Sequence, residues 1–167
     1  MTFIESETIE LKSSVVADLC KEVIAFANTR GGTLYIGVED NGTVIGVDSA
    51  DRVTLQINNM VRDSIKPDIT MFVHYETQVI NDKQIIAVTV QEGTDRPYYL
   101  GSKGLKPSGV YVRNGTSTDP ASDTAIRKMI KETDGDSFET MRSLEQNLSF
   151  QAAEAQFAKR KVPYAAA

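Results

Sequence analysis

Phe26-Ala27-Asn28-Thr29-Arg30-Gly31-Gly32-Thr33-Leu34-Tyr35-Ile36-Gly37-Val38-Glu39-Asp40-Asn41-Gly42 is the stretch that decides the fold. It reads as a helix end, a glycine turn, a buried strand and a second turn. Gly31 and Gly32 can take the positive φ that closes a helix. Thr33 to Val38 is β-branched and aromatic, the composition of a packed strand. Asp40-Asn41-Gly42 supplies a tight hairpin. Thr43 to Val47 is then the returning strand. Gly37, inside the strand, predicts a bulge or a close backbone approach.

Upstream, Glu7 to Leu11 alternates, with Thr8 and Glu10 on one side and Ile9 and Leu11 on the other, as in a short half-buried strand. Ser13 and Ser14 can cap a helix whose apolar stripe is Val16, Leu19, Cys20, Val23, Ile24 and Ala27. Downstream, Ser49 caps a second helix with Val53, Ile57, Met60, Val61 and Ile65 on its buried face, and Pro67 ends it. Thr70–Val79 and Gln84–Val90 read as an antiparallel hairpin turning at Asn81-Asp82. Pro97–Leu100 and Gly109–Arg113 are further extended pieces, separated by a Gly/Lys-rich loop. Asn114-Gly115 is a turn, and Pro120-Ala121-Ser122 opens a helix through Ile126, Met129 and Ile130. The fold class is therefore α+β: a mixed or antiparallel sheet of about six strands covered by two or three helices. Residues 1–135 form the domain. Residues 136–167 are a helical extension with one helix near Phe150–Lys159, or the start of a following domain.

The 167 residues carry a net charge of −5 with 41% hydrophobic content, enough for one packed core. No run approaches the ~18 apolar residues of a membrane span, and Met1–Glu10 has no secretory pattern. With one cysteine, Cys20, and one histidine, His74, a Cys/His metal site and an internal disulfide are not expected. A cytoplasmic location follows. The charge is uneven. Residues 96–131 hold seven Lys/Arg against two Asp/Glu, a balance of +5, on an otherwise acidic chain. Such a segment is either a solvated loop or an electrostatic footprint.

Glu5-Ser6-Glu7-Thr8-Ile9-Glu10-Leu11-Lys12, the Phe26–Gly42 stretch with Gly46-Val47, and Pro107-Ser108-Gly109-Val110-Tyr111-Val112-Arg113-Asn114-Gly115-Thr116-Ser117-Thr118 together resemble the Schlafen-type Alba-like domain. The likeness covers about residues 3–131, in the family's order. It implies a DNA-binding module of the kind found at the N-terminus of bacterial transcriptional regulators. The partner it implies is nucleic acid, DNA before RNA. A homodimer through the C-terminal extension is a further expectation, and a membrane partner is not expected.

The candidate nucleic-acid contacts are Lys12, Arg30, Lys103, Lys106, Arg113, Arg127 and Lys128. Cations beside Gly-rich backbone grip phosphates, because N–H groups and cations both favour anions. Arg30 has a second reading as a cation at a helix C-terminus. Tyr98, Tyr99 and Tyr111 could stack on bases, but tyrosines in short strands are more often core. The resemblance also implies an alternative, a metal-dependent endoribonuclease. Its carboxylates match Glu5, Glu10 and Asp40, a set that would hold magnesium or manganese beside a phosphodiester. In that reading Lys12 or Arg30 are the cations that would balance the cluster without metal. Outside it no cofactor is expected. Gly101-Ser102-Lys103-Gly104-Leu105-Lys106 lacks the spacing of a nucleotide-binding P-loop, so ATP hydrolysis has no support here. A protein-interaction or dimerisation module is the third reading.

Overall fold

The structure is a computed structural model, and it describes residues 3–134. The chain divides into two compact units, Met1–Met129 and Ile130–Ala167. The expected extension over 136–167, with its helix near Phe150–Lys159, lies outside the described residues.

The first unit is built on a four-stranded mixed sheet. β1 (Ile9–Lys12) runs parallel to β2 (Gly32–Ile36), β2 is antiparallel to β5 (Lys83–Val90), and β5 is antiparallel to β4 (Val73–Ile80), giving the order β1-β2-β5-β4. The parallel pair needs a crossover, which α1 (Leu19–Asn28) supplies. α2 (Ala50–Ser64) packs on the same face. Two short ribbons complete the unit: β3 (Ile65–Lys66) with β6 (Tyr99–Leu100), and β7 (Tyr111–Asn114) with β8 (Ser117–Pro120). A third helix, α3, occupies residues 123–134. This is α+β, with the expected strands divided among one sheet and two ribbons. The strands after residue 95 are two to four residues long, too short to extend the sheet.

The period-2 pattern sets the two faces. Leu34, Ile36, Ile86, Val88 and Val90 point to the helices and join Val23, Ile24, Phe26, Ile57 and Val61 in the main core. Leu11, Val38, Ile85 and Phe3 form a smaller cluster on the opposite face, where the Phe3 and Tyr35 rings meet edge-on at 4.8 Å. Glu10 and Lys12 therefore lie on the helix side of β1, because Glu10 pairs with Leu34 and Lys12 with Ile36.

Helix ends follow local chemistry where it is strong. The Ser49 hydroxyl accepts the Arg52 N–H at 3.3 Å and caps α2. Ser122 does the same for α3 through the Ala125 N–H at 3.1 Å. Ser13 and Ser14 do not cap α1. That helix starts at Leu19 after Asp18, with no side-chain cap, and Val16 is exposed. Nine of the ten α1 residues are buried, all but Lys21. A single stripe would not do this. α1 is covered by the sheet on one side and by β7 and β8 on another.

One expected strand does not form, and the strand expected from Thr70 begins only at Val73. Thr43–Val47 forms no ladder with the central strand: it makes a single Val38–Val44 bridge, and the Ile45 and Gly46 N–H groups both bond the Gly37 carbonyl. Thr70–Phe72 is a single 3-10 turn, held by Asp68, whose carboxylate accepts the Thr70 N–H at 3.0 Å. The β4–β5 hairpin turns where expected, with Asn81 and Asp82 at φ 54° and 63°, the pair a type I′ turn requires.

At the central turn the two glycines act differently. Gly31 has φ +77°, and an added Cβ would lie 2.6 Å from the Val90 carbonyl oxygen. Gly32 is not at positive φ. Its demand is space, since a Cβ there would lie 2.6 Å from the Phe26 ring and 2.7 Å from the Thr8 carbonyl oxygen. Gly32→Val is expected to destabilise the domain by about 1–3 kcal/mol or more through this overpacking. Urea unfolding measures it, and an unchanged midpoint would contradict the close approach.

Candidate functional site

The side chains with the most chemistry converge between β1, α1 and the β7–β8 ribbon. Arg113 is at the centre, with its side chain fully buried. Its Nη1 donates to Glu10 at 2.6 Å, to Thr118 Oγ1 at 3.1 Å and to Glu22 at 3.4 Å. Its Nη2 donates to the carbonyls of Ser6 at 2.9 Å and Ile9 at 3.1 Å. The guanidinium lies over the Phe26 ring at 5.1 Å. Thr118 relays the network, accepting from Arg113 and donating to Glu22. Lys12 closes it at 3.1 Å from Glu22 and 4.0 Å from Glu10. Two cations, Arg113 and Lys12, thus meet two carboxylates, Glu10 and Glu22.

The protonation tendencies follow from this packing. Burial raises the pKa of Glu10, and so does the neighbouring Glu5 carboxyl, against the downward pull of Arg113. Burial acts against the Lys12 charge, but Glu22, Glu10 and Asp40 outweigh it and raise the lysine pKa. Lys12 is thereby held as a cation.

A second clamp lies further along α1. The buried Asn28 amide donates to the carbonyls of Tyr98 and Tyr111, both at 3.0 Å, and its oxygen accepts the Tyr98 N–H at 2.8 Å. Tyr98 and Tyr111 are buried, so neither ring is a platform for bases. Tyr99 is half-buried.

The family described as Schlafen, AlbA_2, matches residues 5–122. The N-terminal domain of a RecG-related protein from Nitrosomonas europaea has a similar solution structure. It is 30% identical, with a TM-score of 0.53, over 68% of this chain and 82% of that one. The DIP2311 protein from Corynebacterium diphtheriae shares the fold at 18% identity and a TM-score of 0.54. The match takes in 75% of this chain and about a quarter, 24%, of that one. No curated protein matches the sequence. The chain belongs to the Schlafen AlbA_2 family.

In this AlbA_2 domain the seven candidate phosphate contacts separate by environment. Lys103 and Lys106 are exposed on the loop between β6 and β7, and Arg127 and Lys128 are exposed on α3. The loop is held by its own backbone. The Lys103 and Gly104 N–H groups bond the Leu100 carbonyl, and the Gly109 and Val110 N–H groups bond that of Lys106. Arg30 is exposed and paired with Glu7 at 3.0 Å. Lys12 is engaged by Glu22. Arg113 is not on the surface at all, because its two terminal nitrogens are engaged by Glu10, Glu22, Thr118 and two carbonyls.

The three carboxylates also separate. Glu5 and Glu10 are neighbours, while Asp40 is exposed in the turn after β2 and acts on Lys12 at a distance. Among the described residues no group of three His, Cys, Asp or Glu is placed to hold a metal ion. Glu22 and Asn28 belong to the site although the sequence alone does not assign them to it. Polar side chains inside an otherwise apolar helical run are the signal that points to them.

Removing Arg113 leaves two buried carboxylates with one lysine. Arg113→Met is expected to cost about 3–5 kcal/mol in urea unfolding, the penalty for breaking a buried pair from one side. Arg113→Lys should recover only part of it, since a lysine cannot reproduce the fork to Glu10 and two carbonyls. A loss within ~0.5 kcal/mol for Arg113→Met would place the guanidinium at the surface.

Proposed function

We propose that this AlbA_2 domain is a nucleic-acid-binding module, for DNA before RNA, that serves a cytoplasmic bacterial transcriptional regulator without enzymatic activity of its own. The observation that carries the reading is the loop between β6 and β7. It presents Lys103 and Lys106 to solvent on a hydrogen-bonded frame, within the segment where the acidic chain turns basic. A pre-ordered loop binds phosphate without the entropy cost of ordering it first. Arg127 and Lys128 add exposed cations on α3, and Arg30 can exchange its exposed Glu7 partner for a phosphate. The similar Nitrosomonas domain comes from a protein named for its relation to an ATP-dependent DNA helicase, which supports DNA as the partner.

The metal-dependent ribonuclease reading has less behind it. Glu10 would have to give up its 2.6 Å bond from the buried Arg113 guanidinium to serve as a ligand, and Asp40 lies apart in the exposed turn after β2. The binding reading needs no cofactor.

Lys103→Ala with Lys106→Ala should weaken duplex DNA binding and reduce the slope of log K against log salt by about 0.9 for each phosphate that is no longer neutralised. Fluorescence anisotropy across a salt series measures this. Both positions are exposed, so the variant should unfold like the parent. An unchanged slope in that folded variant would remove the loop from the interface. A manganese arm with RNA decides the enzymatic alternative: cleavage abolished by Asp40→Ala would overturn the non-enzymatic assignment.

A further inference from the structure

The outer edge of the sheet is β4, and among the described residues nothing pairs with that edge. β4 is eight residues long, Val73-His74-Tyr75-Glu76-Thr77-Gln78-Val79-Ile80. It has no proline, lysine or arginine, and Glu76 is the one charged side chain on this open edge. Its backbone therefore offers a row of unpaired donors and acceptors. The surface beside it is mixed, with two large apolar side chains left in solvent. Val79 is 64% exposed, and so is Leu55 of α2 at 60%, although both are large apolar side chains. Between α2 and β4 lies an open groove of about 280 Å³, lined by Asp51, Thr54, Leu55, Asn58, Tyr75 and Thr77.

We propose that this edge pairs with the β4 of a second copy of the chain, antiparallel and centred on Thr77, to make one continuous sheet across the two copies. The register follows from the side chains. A two-fold pairing that keeps α2 on the same sheet face in both copies must centre on a residue, because opposed residues point to the same face. Centring on Glu76 or Thr77 keeps the most overlap. Glu76 at the centre would put two carboxylates face to face, which is destabilising. Thr77 at the centre sets Glu76 opposite Gln78 of the other copy, and Tyr75 opposite Val79. Each copy's exposed Val79 then enters the groove beside the other's Tyr75 and Leu55. The contact is isologous and closes on itself, so it stops at a dimer rather than growing into a fibre.

Two measurements on the full chain test this. Sedimentation velocity should show the wild type shifting from monomer to dimer with concentration. Val79→Lys and Leu55→Lys should each move that shift at least about ten-fold higher in concentration, with unchanged unfolding because both sites are exposed. Cross-linking reads the register. Residues opposed across an antiparallel pair have Cα atoms about 4.5–5.5 Å apart, within disulfide reach, whereas the two copies of residue 79 would be more than about 10 Å apart. Thr77→Cys should thus form a covalent dimer at least about ten-fold faster than Val79→Cys under mild oxidation, with Cys20 buried in both. A wild type that stays monomeric to about 1 mM would overturn the proposal. So would a dimer insensitive to both lysine substitutions, or equal cross-linking at 77 and 79.

Discussion

The structure depends on one buried guanidinium. Arg113 reaches from β7 to β1, to the turn before β1 and to α1, partners 91 to 107 residues earlier in the chain. Among the described residues the β7–β8 ribbon is a separate sheet, with Tyr111 as its one side chain in the main core. Its strands are four residues each, and β8 is Ser-Thr-Asp-Pro, with little to bury. A two-stranded ribbon of that length is not stable alone. The charge network supplies the specific attachment, and the Asn28 amide adds a second one further along α1 with Tyr98 and Tyr111. Desolvating four charges is costly, so the network's contribution lies as much in choosing this arrangement as in net stability. An apolar substitute could pack there, but it would not specify which carboxylates and carbonyls the ribbon must meet.

The family stretch from Phe26 to Gly32 is best understood as the receiving surface for that attachment. Phe26 lies under the Arg113 guanidinium, Ala27 accepts the Gly93 N–H, and Asn28 clamps two later carbonyls. Gly31 and Gly32 let the chain pass close to Val90, Phe26 and Thr8. These residues build the frame from which the loop between β6 and β7 projects. The cations on that loop are exposed, as is Arg30 of the motif itself. The motif holds the scaffold, and the loop projects from it with its lysines in solvent.

The sheet, α2 and the β4–β5 turn are legible in the sequence because each rests on local chemistry: period-2 burial, a Ser49 cap, an Asn81-Asp82 turn. Long-range effects are not legible. Thr43–Val47 has strand composition, but the Gly37 bulge draws two of its N–H groups away from a ladder. β8 is hidden by its polar residues and Pro120. Arg113 looks like a surface cation because it neighbours a Gly/Lys-rich loop and a turn. Its burial is decided by Glu10 and Glu22, far away in sequence. A signal exists in the parity of β7, since Arg113 shares a face with Tyr111, which is also buried. Glu22 carries the complementary signal, a carboxylate inside an apolar helix.

The central claim is that Arg113 and Glu22 act as one unit joining the ribbon to α1. A double-mutant cycle of Glu22→Gln and Arg113→Met, read by urea unfolding, tests it most directly. The two positions should couple by about 1–3 kcal/mol, the double variant losing less than the two single losses added together. Strict additivity would contradict the account, because it would mean that the two side chains stabilise the domain independently.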